Sequence, residues 1–326
     1  MKGHMDSGGS QAIRGFNYQK SLISLIAILN HDKRDLSIFV ETDDDVVVLI
    51  SGMKIFVQAK SGKDLSIAKL ITPQKTSSII KKNISNGDNN DRFKIAIPNT
   101  CFAKSDIEGV NSLILSEGTI FENNVYRYSD EQKNKIINAL VKEGVDQNTA
   151  LSKISNSFIY LSDFDSNQER AIKYLLGEMC EHDIKVDDGA GISILNALFS
   201  EIDIRSGRIV GRDAISDKDK ELSCDFLNKI FCKGEVFSIE TEITNMVAGG
   251  NIYLKERIIK ERNSGCYEDL ESNLRELYGN FGINEDTKNI VLQLVDIAKK
   301  EKLNVPEEAI YAITIKIVAE KIINDN

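Results

Sequence analysis

The sequence predicts an α/β protein, a mixed sheet covered by helices and followed by an all-α C-terminal domain. Three observations predict it. Three strand-like runs crowd into residues 38–60 after one long apolar-striped helix. Two further apolar runs, at 92–97 and 157–161, return after helical stretches. Beyond about residue 187 strand signals fade and helical periodicity takes over. A meander between helices with returning strands is the pattern of a sheet buried under helices.

Taken in order, Ser7-Gly8-Gly9-Ser10 reads as a flexible lead-in. A helix follows, with Asn17 as its N-cap and Gln19 in its first turn. Phe16, Ile23, Ile26 and Ala27 recur at helical spacing, and Leu22, Leu25 and Leu29 widen the stripe. The helix should end near Asn30-His31-Asp32, where His31 reads as a surface or cap residue. Ile38 to Glu41 is the first strand. Val46 to Ile50 is the second, led in by Asp43-Asp44-Asp45, and Ser51-Gly52 is a turn before the third, Lys54 to Lys60. A helix over 64–85 is divided by Pro73, and residues 86–90 form a turn. Residues 92–97 form a strand closed by Pro98. Helices are expected at 104–117 and 129–143, a strand at 157–161 and a helix at 167–180.

Residues 192–202 then read as helical. The glycine-punctuated 205–214 lacks the Gly-Lys-Ser/Thr of a phosphate loop. Six short helices follow, at 217–231, 238–247, 252–262, 266–278, 285–301 and 306–323, the last opened by Asn304-Val305-Pro306-Glu307. That last helix is very apolar (Ala309, Ile310, Ala312, Ile313, Ile317, Val318, Ile322). Two readings stand for it: burial in a local core, or a partner-binding surface. The domain division expected is 6–205 and 206–326.

Composition narrows the classes. No apolar run is long enough to span a bilayer. The opening Met1-Lys2-Gly3-His4-Met5 is not a signal peptide and is set aside as a tag-like remnant. Five scattered cysteines, no C-x-x-C pair and three histidines argue against a zinc or disulfide framework and suit a reducing cytoplasm. The net charge is −9, yet residues 51–94 carry nine Lys/Arg against three acids, a local +6 that leaves −15 on the remainder. That asymmetry permits a phosphate-binding face on an acidic molecule. A solvated lysine-rich helix gives the same count.

The chemistry-bearing stretch is 41–60. Alternation in the third strand puts Gln58 and Lys60 on one face, and the hairpin brings the acidic run towards them. Carboxylates, an amide oxygen and an ammonium converge at one mouth, a set able to hold a divalent metal and to stabilise charge on a phosphate. The plain alternative is a solvated hairpin end with paired surface charges. Twelve residues separate Asp45 from Gln58-Ala59-Lys60. That spacing resembles the core of the PD-(D/E)xK nucleases, with Gln in place of the usual acid.

The combination G-G-S-Q-A-I-R-G-F-N-Y-Q (8–19), V-E-T-D-D-D-V (40–46) and V-Q-A-K (57–60) resembles the double-stranded-DNA endonuclease domain of bacterial anti-phage effectors. These effectors serve cyclic-oligonucleotide systems and Lamassu-type, SMC-linked systems. The resemblance is sharp over the first 60 residues and fits the element order to about residue 200. It implies a restriction-endonuclease-like mixed sheet flanked by helices. It also implies an Mg²⁺- or Mn²⁺-dependent DNA endonuclease with Asp44 or Asp45, Gln58 and Lys60 in the site and Glu41 and Gln19 in support. Strand parity puts Asp43 and Asp45 on one face and Asp44 on the other, whereas the family's E-x-x-D-D-V pattern points to Asp44-Asp45. Lys63, Lys69, Lys75, Lys81 and Lys82 would meet DNA phosphates, and Gln19 is expected to contact the nucleic acid with them. In cyclic-nucleotide-responsive members a large sensor domain follows the nuclease. The short helical tail here instead fits docking onto an SMC-like ATPase or another defence subunit, with a homo-oligomeric active form in the cytoplasm and no membrane. The rival reading is a catalytically inactive nuclease fold that binds DNA or protein. A third keeps the chemistry on RNA or single strands.

Overall fold

The computed structural model describes residues 7–42, 44–184, 186, 189–208, 216–262, 268–278, 286–300 and 305–325. Two compact units divide the chain: Met1–Ile184 with Ile194–Ile230, and Lys185–Ser193 with Phe231–Asn326.

The first unit is built on an eight-stranded mixed sheet. In chain order it runs α1 (Ser7–Leu29), β1 (Ser37–Val40), β2 (Val46–Ile50), β3 (Met53–Ala59), α2 (Ile67–Ile71), α3 (Ile79–Ser85) and β4 (Arg92–Pro98). It continues with β5 (Ile114–Leu115), β6 (Val125–Arg127), α4 (Asp130–Lys142), α5 (Gln147–Ser155), β7 (Ser157–Ser162), α6 (Gln168–Glu181), α7 (Ala190–Ser206, of which this unit holds the part from Ile194) and β8 (Glu221–Ser223). The spatial order is β5-β6-β7-β4-β3-β2-β1-β8. β3, β4 and β7 pair in parallel and every other neighbouring pair is antiparallel. This is the expected restriction-endonuclease-like mixed sheet with flanking helices.

Ser51 and Gly52 both take positive φ, 51° and 72°. That is the backbone of a two-residue hairpin turn matched to strand twist, and it fixes the register Ile50↔Met53 through Val46↔Val57. Phe56, Phe93, Ile95 and Ile97 face a core closed by Leu70, Ile80, Ile136 and Ile154 of α2–α5. On the other side α1 lies against β3 and packs on α6; Tyr18 of α1 meets Ser162 of β7 at 2.9 Å.

Three sequence expectations change. First, α1 begins at Ser7, so Asn17 is interior rather than a cap and Gln19 lies mid-helix. The buried stretch from Tyr18 onward already meets the nucleation cost, and the weak formers Gly8 and Gly9 only propagate an existing helix. Second, the helix expected at 104–117 is replaced by turns and β5. Just before it Leu65 N donates to Cys101 O and Ala103 N to Leu65 O, and within it Glu108 O accepts from Ile67 N, Val110 N donates to Ala103 O and Ser116 N to Val125 O. Gly109 allows the close approach, since a Cβ on it would lie 2.1 Å from Ala103 O. Third, β6, α5 and β8 were not legible as separate elements, being short or weakly patterned.

The second unit is helical. α8 (Cys224–Ala248) runs into it from the first, and α9 (Ile252–Arg262), α10 (Glu268–Tyr278), α11 (Thr287–Lys300) and α12 (Glu307–Asp325) complete it. The helices expected at 217–231 and 238–247 are thus one helix preceded by a 3-10 turn at 217–220 and by β8. Among the described residues five helices stand where six were expected. α12 contacts α9, α10 and α11, and its Ala309, Ile310, Ala312, Ile317 and Val318 are buried in the unit's own core. Burial, not a partner-binding surface, accounts for its apolar sequence. The sheet unit reaches Ile230, so β8 and the start of α8 fall on its side of the boundary expected at 205/206. Most of 205–214 and Asn304 lie outside the described residues.

Candidate active site

β3, β4 and β7 end, and the antiparallel β2 begins, along one edge of the sheet. The carboxyl ends of parallel strands are where open α/β sheets place ligands. Asp44 and Asp45 lead into β2 there, and Gln58, Ala59 and Lys60 close β3. One step beyond Val46↔Val57, Asp45 stands opposite Gln58. The Asp45 carboxylate accepts a hydrogen bond from Ala59 N at 2.9 Å and lies 3.8 Å from Lys60 Nζ. Lys60 N donates to Ala96 O at 2.9 Å, so the lysine is still held on the sheet.

Asp44 turns inward. It is 7 % exposed, accepting from Asp45 N at 2.9 Å and from Asn83 Nδ2 at 2.7 Å. Burial pushes its carboxyl up to about 6, against the pull of the Asn83 hydrogen bond and with the Asp45 charge adding to the rise. Asn83 is a site residue the motif does not name. Its signal is its position: it shares the inward face of α3 with Ile79, Ile80 and Ile84, where a polar residue needs a partner.

Gln58 is fully buried, and neither its Oε1 nor its Nε2 has a hydrogen-bond partner. Most buried polar groups are satisfied, and an exception at a cluster of oxygen ligands points to an ion or water. Glu41 contributes through its backbone. Its residue is exposed with φ 49°, its N donates to Asp45 O at 3.1 Å, and its carbonyl accepts from Lys220 Nζ at 2.7 Å. Gln19, 7 % exposed, donates from Nε2 to the same Asp45 carbonyl at 2.9 Å. Its buried amide braces the acidic loop from beneath, so Gln19 is an internal brace and not the nucleic-acid contact expected. Asp43 lies outside the described residues.

The structure does not treat the five lysines alike. Lys63 lines a cleft of about 780 Å³ immediately after Lys60, together with Gln11 and Arg14 of α1, Ser61, Gly62 and Asn167. Arg14 is a second cation there, a placement helix periodicity does not encode. Lys69, Lys75 and Lys82 are exposed. Lys81 is spent internally, its Nζ donating to Glu143 O at 2.7 Å where α4 ends.

No cluster of three His, Cys, Asp or Glu occurs among the described residues. The donor set is instead two carboxylates and one orphaned amide, hard oxygen ligands that fit Mg²⁺ or Mn²⁺ rather than zinc. No helix of the described residues is long and apolar enough to cross a membrane.

Comparison with known proteins agrees with this geometry. The family model described as "Cap4, dsDNA endonuclease domain" matches residues 7–206. Over 259 residues the chain is 30% identical to the Lamassu protein LmuA of a Bacillus species, covering 79% of this chain and 78% of that one. No solved structure matches. With the family model spanning more than half of its length and its acidic hairpin mouth at the expected sheet edge, the chain belongs to the Cap4 double-stranded-DNA endonuclease domain family.

Proposed function

We propose that this protein is a metal-dependent endonuclease that hydrolyses double-stranded DNA with little sequence preference. In this reading it is the nuclease subunit of a Lamassu-type anti-phage complex, kept silent until partner subunits assemble it in a homo-oligomeric form. The observation that carries the reading is the fully buried, unpartnered Gln58 amide opposite Asp45, whose carboxylate neighbours Lys60. Similarity to LmuA supports the defence setting.

Asp44, Asp45 and Gln58 would hold the metal, with Asn83 and Gln19 fixing the two aspartates. A bound Mg²⁺ would supply Lewis acidity and positive charge beside the scissile phosphate. Lys60 stabilises charge developing on the phosphate oxygens. Lys63, Lys69, Lys75 and Lys82 meet the DNA backbone, which makes binding salt-dependent.

The test is plasmid cleavage with Mg²⁺, by the purified protein alone and with its genomic neighbours. EDTA should abolish cleavage, and Lys60→Ala should lower the rate by about 10²-fold or more. Undiminished cleavage by that variant, or none in any combination, overturns the reading. Gln58, neutral where the PD-(D/E)xK pattern has an acid, favours a second reading, a catalytically inactive DNA- or protein-binding module. Calorimetry separates the two: a Mn²⁺ site lost in Asp45→Ala belongs only to the first.

A further inference from the structure

We propose that Lys220, which lies beyond the residues matched by the family model, is a positioning residue that latches the acidic loop of the active site. The proposal rests on the nuclease reading above only for what the latch is for.

Lys220 closes the 3-10 turn that leads into β8. β8 lies antiparallel beside β1 with Phe39 opposite Glu221 and Ile38 opposite Leu222. One step further along, this register brings Lys220 to the end of β1, where the chain leaves the sheet at Glu41 to form the loop carrying Asp44 and Asp45. Lys220 is 4 % exposed, and its ammonium donates to the Glu41 carbonyl at 2.7 Å. A desolvated ammonium is strongly unfavourable without an acceptor, so this contact holds both partners in place.

Glu41 needs holding. Its φ of 49° lies in the left-handed region, which non-glycine residues occupy only when the surroundings impose it. Its N–H donates to Asp45 O, the carbonyl that also accepts from Gln19 Nε2. The loop is thus pinned at two points: Gln19 grips Asp45, and Lys220 grips Glu41, which grips Asp45 in turn. The turn bearing Lys220 is itself anchored. Arg205 and Arg208 both donate to Asp219 O, Asp219 caps Ser216 N at 2.8 Å, and the Arg205 guanidinium lies over the Phe226 ring, 4.8 Å from its centroid. Lys220 is presented to the loop from a fixed base, and after the three residues of β8 the chain enters α8. The catalytic loop is therefore tied to the stretch that leads into the helical unit.

The experiment compares wild-type full-length chain with Lys220→Met, which keeps the stem and removes the donor, and with Lys220→Arg, which restores one. Hydrogen exchange at the Glu41 amide should quicken by about tenfold or more in K220M, the factor for losing a charge-assisted hydrogen bond. Amides in the β2–β3 ladder should keep their wild-type rates. In DNA cleavage K220M should lower kcat with KM for DNA unchanged, and K220R should recover most of kcat. Unchanged exchange at Glu41, or loss spread evenly over the sheet, overturns the latch. If wild type cleaves no DNA even with its genomic neighbours present, the nuclease reading falls and the exchange result still decides the latch. If wild type cleaves and K220M matches it in kcat, the latch falls and the nuclease reading stands. Should K220M fail to fold, Lys220→Gln, a neutral donor, takes its place and should fall between wild type and the loss expected for K220M; wild-type exchange in K220Q overturns the proposal.

Discussion

A glutamine buried with both amide atoms unpartnered destabilises the metal-free fold by about 1–3 kcal/mol per unsatisfied group. Gln58→Leu should therefore raise stability in urea unfolding by about 1–3 kcal/mol while abolishing Mn²⁺ binding in calorimetry. Asp44 gives a pH signature of definite sign. Its folded value of about 6 lies above the ordinary 3.8 because burial penalises the charge. Between those values the folded state binds the extra proton, so the stability it contributes is complete below the lower and lost as pH rises through the upper. Asp44→Asn should thus raise the metal-free Tm at pH 8 and leave it nearly unchanged near pH 4, read by parallel thermal melts. That Asp45, Gln58 and Lys60 meet at one hairpin mouth was legible because strand alternation and hairpin geometry act over a few residues. Gln19 was legible only as a supporting candidate facing the hairpin: the Asp45 carbonyl it bonds lies 26 residues away, a distance only the assembled fold can close.

At the scale of elements, local chemistry and tertiary demand divided the outcome. The hairpin, the Pro73 break between α2 and α3, and β4 and β7 were readable because turn residues and apolar runs carry their own signal. The 104–117 stretch was not, since Glu108, Val110 and Ser116 bond Ile67, Ala103 and Val125 in place of a helical ladder. α12 illustrates a different ambiguity: an all-round apolar helix is buried somewhere, but its periodicity does not say against what. Here it is buried within its own unit. Ile315→Ala should accordingly cost about 2–5 kcal/mol, as core truncations do, seen as earlier loss of the helical unit in denaturant-monitored circular dichroism. A free surface residue at that position would shift the midpoint by no more than about 0.5 kcal/mol.

For the whole molecule, charge is distributed so that an acidic chain still offers cations beside its candidate site. Lys63 and Arg14 meet in the cleft after Lys60, and Lys69, Lys75 and Lys82 stay exposed. Lys63→Ala should weaken duplex binding across sequences and reduce the salt slope by about 1, measured by fluorescence anisotropy over a salt series. The extent of the sheet was the least readable feature. β8 is three residues long and separated from its neighbour β1 by most of the unit, so no local pattern announces it. Its presence has a practical corollary. Stopping translation at residue 206, where the family's similarity ends, would strip the outermost ribbon from the sheet and leave the backbone from Ser37 to Phe39 bare. Naked rims of that kind recruit other chains; such a shortened product should clump on purification, and carrying the reading frame through Ile230 should keep it dispersed.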